Sequence, residues 1–154
     1  MSKQVYRVEV SEGGTIQWYD SETGKLHNES GPAIVYPNWS EEYYIHGERH
    51  NESGPAVVWP SGSKEYWIRG KLHNESGPAV VRSNGDKEYW IRGKLHNESG
   101  PAIVWSDGDK VYYLHGKKFT ESEFLARNKT SCEEKTIVVD GQTYRLVKAD
   151  QNSY

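Results

Sequence analysis

Four histidines recur at one interval, His27, His50, His73 and His96, each with a glutamate two residues on: Glu29, Glu52, Glu75 and Glu98. Imidazole beside carboxylate is the raw material of a metal centre or an acid–base pair. The interval argues against both. If each interval holds two strands, equivalent residues lie about 9–10 Å apart at ~4.8 Å per strand. Zinc ligands must converge on one ion at about 2.0–2.1 Å each. The histidines therefore form a ladder rather than a cluster, and a loop histidine bonded to its own turn accounts for them. His73 with Glu75 alone is too poor in ligands to hold a metal. Neighbouring glutamates approach the carboxyl spacing of an inverting glycosidase, about 6.5–9.5 Å, but a catalytic pair needs two unlike environments and these are copies. No catalytic residue, metal site or cofactor is expected, and the chain reads as a non-enzyme.

Other chemical signals are weak. Asn28, Asn51, Asn74 and Asn97 each open an Asn-Glu-Ser tripeptide, which matches the glycosylation pattern but is explained by turn geometry. Cys132 lies in a polar stretch with nothing nearby to mark it as a nucleophile. As the single cysteine it excludes an internal disulfide framework and suits a reducing compartment.

The elements that carry these residues are repeats. His-Asn-Glu-Ser-Gly-Pro-Ala occurs four times at a strict 23-residue period, and Lys64–Gly85 is nearly the same text as Lys87–Gly108. Such regularity means an array whose units bury apolar groups against their neighbours. Each unit holds two short apolar runs, as in Lys64–Ile68 and Pro78–Arg82. Ser61-Gly62, Asn84-Gly85 and Asp107-Gly108 are hairpin signals between units. The segment Arg69–Gly77 reads as one long loop, with Gly70 and Gly77 free to take positive φ and Asn74 folding back onto the backbone. The fold class is all-β: an antiparallel meander of 23-residue hairpin repeats with a short capping helix and a terminal hairpin.

Four segments follow: a hairpin cap at 1–23, the array at 24–116, a capping helix at 117–131, and a hairpin with tail at 132–154. Val5–Val10 and Thr15–Tyr19 form the leading hairpin. Thr120 with Glu123 makes a capping box, with Phe119 and Phe124 at staple spacing, for a helix ending near Arg127 or Asn128. Lys135–Val139 and Thr143–Lys148 form the last hairpin around Asp140-Gly141.

Strand alternation sorts the columns. Tyr43, Tyr66, Tyr89 and Tyr112 never vary, nor do Ala33, Ala56, Ala79 and Ala102; with Ile45, Ile68, Ile91, Leu114 and Val35, Val58, Val81, Val104 they are expected on the packed face. The opposite columns, Tyr36, Trp59, Arg82, Trp105 and Tyr44, Trp67, Trp90, Tyr113, vary more and mix arginine with aromatics. Wet aromatics are contact material.

The 23-residue period, the Tyr-x-x-x-Gly-Lys-x-His run and the Asp-Gly-type turn resemble MORN repeats, particularly variant forms. Here Asn-Glu-Ser-Gly-Pro-Ala follows the histidine in place of a shorter glycine-rich turn. The His-x-x-x-Gly-Pro-Ala form with the ending Gly-Lys-x-x-Thr-Glu-x-Glu-Phe also resembles repeat proteins of tailed bacteriophages. The resemblance covers roughly residues 15–126. It implies a strand–turn–strand unit and a role in protein interaction, dimerisation or phospholipid binding; bacterial variants occur in antitoxin-like proteins.

The leading functional expectation is a non-enzymatic interaction protein, in the phage-like case an inhibitor of a host defence protein. Its anchors would be Tyr44, Trp59, Trp67, Trp90, Trp105 and Tyr113, with Arg69, Arg82 and Arg92 as polar contacts. If those aromatics only dry a second face, a symmetric homodimer is expected. The alternative is a binder of an anionic nucleotide, stacked on Trp67 or Trp90 beside Arg69 or Arg92. The net charge of −3 leaves no footprint for duplex nucleic acid, and interleaved glutamates disfavour a membrane surface. With no signal peptide and no run of transmembrane length, a cytoplasmic protein is expected, in the host cell if phage-encoded.

Overall fold

The computed structural model describes residues 5–133 and 136–145 of the chain. Eleven short strands form one open antiparallel sheet that runs the length of the array. It begins with the expected hairpin, Tyr6–Val10 against Ile16–Asp20 in the register Tyr6↔Asp20. From there each repeat adds two strands. In the second unit Lys64–Glu65 pairs on one side with Val57–Val58 and on the other with Val80–Val81.

The apolar run Lys64–Ile68 is not one strand. It breaks at Tyr66 and resumes as Trp67–Ile68, which pairs with Lys71–Leu72 in a separate small hairpin. The expected long loop is therefore half hairpin. Its tip, Arg69-Gly70, has φ of 49° and 68°, the positive pair that a two-residue hairpin turn needs to match strand twist. Arginine hides this signal, because such a site ordinarily takes Asn or Gly. Gly77, by contrast, is not among the positive-φ residues, and a Cβ there would meet only the Asn74 amide at an ordinary 3.8 Å. The rest of the loop is built as expected. The Asn74 amide donates to the Pro78 carbonyl at 3.0 Å, and the Ser76 N–H donates to the Asn74 side-chain oxygen at 3.0 Å.

Turns between units close through a three-residue loop, with the Gly85 N–H donating to the Arg82 carbonyl at 2.9 Å. Gly62, Gly85 and Gly108 take φ of 87–99° there. In the first unit Trp39 occupies the same position at φ 65°, a strained conformation for any residue with a Cβ.

The core is thin. Ala33, Ala56, Ala79 and Ala102 are fully buried where the chain enters the sheet, and the carbonyls of Ala56, Ala79 and Ala102 accept the N–H of Tyr43, Tyr66 and Tyr89, where the neighbouring strand leaves for its hairpin. The other buried column is Ile34, Val57 and Val80, not Val35, Val58 and Val81, which are half-exposed. Register places Val57 opposite Glu42 and Glu65, so the glutamate stems and flanking aromatics of that face must cover it.

The far end is capped as expected, by a longer helix. Thr120 and Glu123 exchange capping-box bonds, with N–H···O distances of 2.8 and 3.2 Å, and the helix Glu121–Glu133 includes Cys132 in its last turn. Phe124 is buried against Tyr112, with ring centroids 4.9 Å apart. The final hairpin pairs Thr136–Val139 with Gln142–Arg145; Lys135 and residues 146–148 of the expected hairpin lie outside the described residues. No helix among the described residues is long and apolar enough to cross a membrane.

Candidate functional site

Three open clefts lie in a row on the Tyr–Ile–His face. Each has a volume of about 700 Å³ and each joins two adjacent repeats. The middle one is walled by the loops Asn51–Gly54 and Asn74–Gly77 and floored by Tyr66, Ile68, His73 and Val81. Loop Asn74–Gly77 also walls the next cleft, so the three are continuous. Of the columns expected to be packed, the alanines are buried, whereas the tyrosine, isoleucine and Val58–Val81–Val104 columns line a groove. The reason is architectural: a single-layer sheet has no second layer to cover this face.

The histidines hold the groove in shape. His50 Nδ1 accepts the N–H of Arg69 at 3.2 Å, His73 that of Arg92 at 3.1 Å, and His96 that of His115 at 3.0 Å. Each therefore bonds the next repeat's turn rather than its own. An Nδ1 that accepts leaves the ring proton on Nε2. That edge faces the groove, 3.5 Å from Glu52, Glu75 or Glu98 respectively. These carboxylates are 71–77 % exposed. No lysine or arginine lines the three clefts, so the charged groups of their own walls are glutamates; an adjoining cleft that shares Ile68, His73 and Glu75 carries Arg69, Lys71 and Arg92.

Among the described residues one metal-like grouping does arise: ligand atoms of His96, Glu98 and His115 lie within 4.8 Å of one another. The ladder was expected to keep histidines apart, and it does along one column; His115 comes from the turn column instead. The two rings are stacked at 4.2 Å, 29° from parallel. Stacked rings do not aim their nitrogens at a common point, and His96 Nδ1 is already engaged by the His115 N–H. A metal bound at Nε2 would displace that bond, because a ligating imidazole uses its other nitrogen as a donor.

The opposite face carries the aromatics singled out by sequence. Tyr44, Trp59, Trp67, Trp90 and Tyr113 are half-buried, whereas Arg82 and Trp105 are exposed. The indole N–H groups of Trp67 and Trp90 donate to Glu65 and Glu88 at 2.9 Å. Arg49 stacks over Trp67 at 5.4 Å and pairs with Glu42 at 2.9 Å, while Tyr36 and Tyr44 donate to the same carboxylate. Burial pushes the Glu42 carboxyl upward, but these hydrogen bonds and the Arg49 charge outweigh it and hold it below its ordinary range. Burial, reinforced by Glu42, raises the Tyr36 hydroxyl to about 12. Arg82 pairs with Glu88 at 2.8 Å and shares a smaller cleft with Trp59.

Arg69 and Arg92 are not on that face. They sit at hairpin tips and share a cleft of about 300 Å³ with Ile68, Lys71, His73 and Glu75. Neither Trp67 nor Trp90 lines that cleft.

Sequence reasoning passed over Trp39, which is 80 % exposed in a position that other repeats give to glycine. Its displacement of a column glycine was the available signal. Arg49 was also missed, because the equivalent positions in the next two repeats, Leu72 and Leu95, are apolar. No protein-family model matches the chain, and no curated protein matches it.

Proposed function

We propose that this chain is a non-enzymatic protein-binding array that acts inside a host cell as an inhibitor, by occupying a host protein such as a defence factor. The observation that carries the reading is the threefold recurrence of one open cleft along a continuous row. Equal sites in series suit an extended partner that engages several at once, each contact raising the effective concentration of the next. Catalysis would instead call for unlike groups brought to one place. The half-exposed aromatics of the opposite face, held by Glu65, Glu88 and Arg49, add a second set of ordered anchors. The resemblance to bacteriophage repeat proteins supports a partner in the host.

The test is affinity purification from host lysate with three proteins: native, Trp67→Ser/Trp90→Ser, and Tyr66→Ala/Tyr89→Ala. Circular dichroism confirms that both variants fold. The captured protein is then purified and titrated against all three by calorimetry. Saturable binding lost in one variant supports the reading and tells which face acts. Absence of any saturable protein partner sinks it.

An anionic nucleotide is the second reading, favoured by Arg69, Lys71 and Arg92 around one cleft. It predicts salt-sensitive binding that Arg69→Gln/Arg92→Gln abolishes and Trp67→Ser leaves intact, since Trp67 does not line that cleft.

A further inference from the structure

The cleft row has a period, and that period selects the conformation of what fits it. Equivalent strands are two positions apart in the sheet: Lys64–Glu65 and Lys87–Glu88 flank Val80–Val81. Successive clefts therefore follow at about 9.6 Å, twice the strand spacing of ~4.8 Å. A chain lying along the row must present like side chains at that interval.

Three regular conformations can be compared. An extended strand advances ~3.3 Å per residue and would reach the next cleft after about three residues, where its twofold alternation points the side chain the wrong way. An α-helix advances ~10.5 Å in seven residues, about 1 Å too far at each step. A polyproline II helix has three residues per turn and ~3.1 Å per residue. It returns the same side chain every ~9.3 Å, within about 0.3 Å of the cleft spacing.

The lining agrees with the period. Tyr66 and Tyr89 alternate with Pro78 and Pro101 along the row, and polyproline segments dock in aromatic-lined grooves. Such a segment has no internal hydrogen bonds, so its carbonyls need donors. The Nε2–H of His73 and His96 face the groove, and the hydroxyls of Tyr66 and Tyr89 have no partner among the described residues. Glu29, Glu52, Glu75 and Glu98 line the three clefts without a lysine or arginine among their lining residues, and Glu75 alone also borders the cleft of Arg69, Lys71 and Arg92.

Both ends of the row are closed. Tyr112 is taken by the C-terminal helix, its hydroxyl donating to Glu121 at 2.7 Å, and Tyr6 of the leading hairpin stacks on His27 at 5.9 Å. Three clefts remain, enough for about nine residues in three turns.

We infer that the groove binds a polyproline II segment of a partner protein, with Arg or Lys at every third position. This rests on the protein-binding reading proposed above and names the chemistry of the partner.

The test is fluorescence anisotropy with a labelled nonapeptide of three Pro-Pro-Arg triplets. The expected result is saturable binding, weakened about tenfold or more in Tyr66→Ala/Tyr89→Ala. Replacing Glu52, Glu75 and Glu98 by Gln should weaken it and flatten its salt dependence. Trp67→Ser/Trp90→Ser should leave it unchanged. Two control peptides decide between shape and charge: three Gly-Ser-Arg triplets, and a peptide with arginine at every fourth position. Equal binding of either overturns the inference, as does no binding of the Pro-Pro-Arg peptide. If that peptide fails while a protein partner is still retained, the inference falls and the proposed function stands. If nothing is retained either, both fall.

Discussion

The imidazole Nδ1 of His73 accepts the backbone N–H of Arg92 at 3.1 Å, and Arg92 sits at φ 51°. A side chain in one repeat thus holds a left-handed residue in the next. The same bond joins His27 to His46, His50 to Arg69 and His96 to His115. Left-handed backbone costs about 1–2 kcal/mol for a residue with a Cβ, and this bond offsets part of that cost. The invariant histidine is thereby explained without catalysis.

His73→Ala should lower stability by about 0.5–1.5 kcal/mol, the net worth of a hydrogen bond whose exposed donor water can reach. The loss should be smaller in an Arg92→Gly background, where the turn needs less holding. Urea denaturation of the four proteins in the cycle measures the coupling. Strict additivity would show that the histidine does not support the turn.

Trp39 takes φ 65° where sister repeats place glycine. Trp39→Gly should raise stability by about 0.5–1 kcal/mol, the relieved strain less the extra entropy of the unfolded chain. If that exposed indole is a partner anchor, the same variant binds its partner less tightly, because strain is retained where it serves a function. Thermal denaturation checks the first half of this prediction and calorimetry the second.

Glu42 is held below its ordinary range in the fold, so its contribution has a definite sign in pH. It is fully present above the ordinary glutamate value of about 4.3 and disappears as pH falls through the lowered folded-state value. Native protein should therefore lose stability over that acid interval, and Glu42→Gln should show less of the loss. At neutral pH the substitution should cost about 1–3 kcal/mol, through weakened bonds to Arg49, Tyr36 and Tyr44. Denaturation midpoints across pH 3–7 in both proteins give the comparison.

Phe124→Ala should destabilise the chain by about 3–5 kcal/mol by emptying the buried site against Tyr112. It should also uncover the last strand hairpin, whose open edge is a template for pairing between chains. Size-exclusion chromatography should then show concentration-dependent oligomers that the native protein lacks at the same loading.

Local chemistry was legible in the residues themselves. The Thr120–Glu123 capping box, the Asn74 side-chain turn and the Gly85 turn each form as read, because every one is decided within five residues of chain. The repeat period and the meander were legible for the same reason, since each unit meets only copies of itself. The turn at Arg69-Gly70 was not, because its positive φ is held partly by His50, nineteen residues away. Nor was the buried column. Alternation distinguishes two faces but not which one is covered, and Val57 rather than Val58 is buried, on the strand position that faces Glu42 and Glu65 across the sheet. The amino-acid sequence alone determined a 23-residue β-array with capped ends, by short-range turn and capping chemistry. Only the tertiary structure decided that Tyr43, Tyr66 and Tyr89 floor an open groove while Tyr112 is covered, because that depends on what does or does not stack on a single-layer sheet.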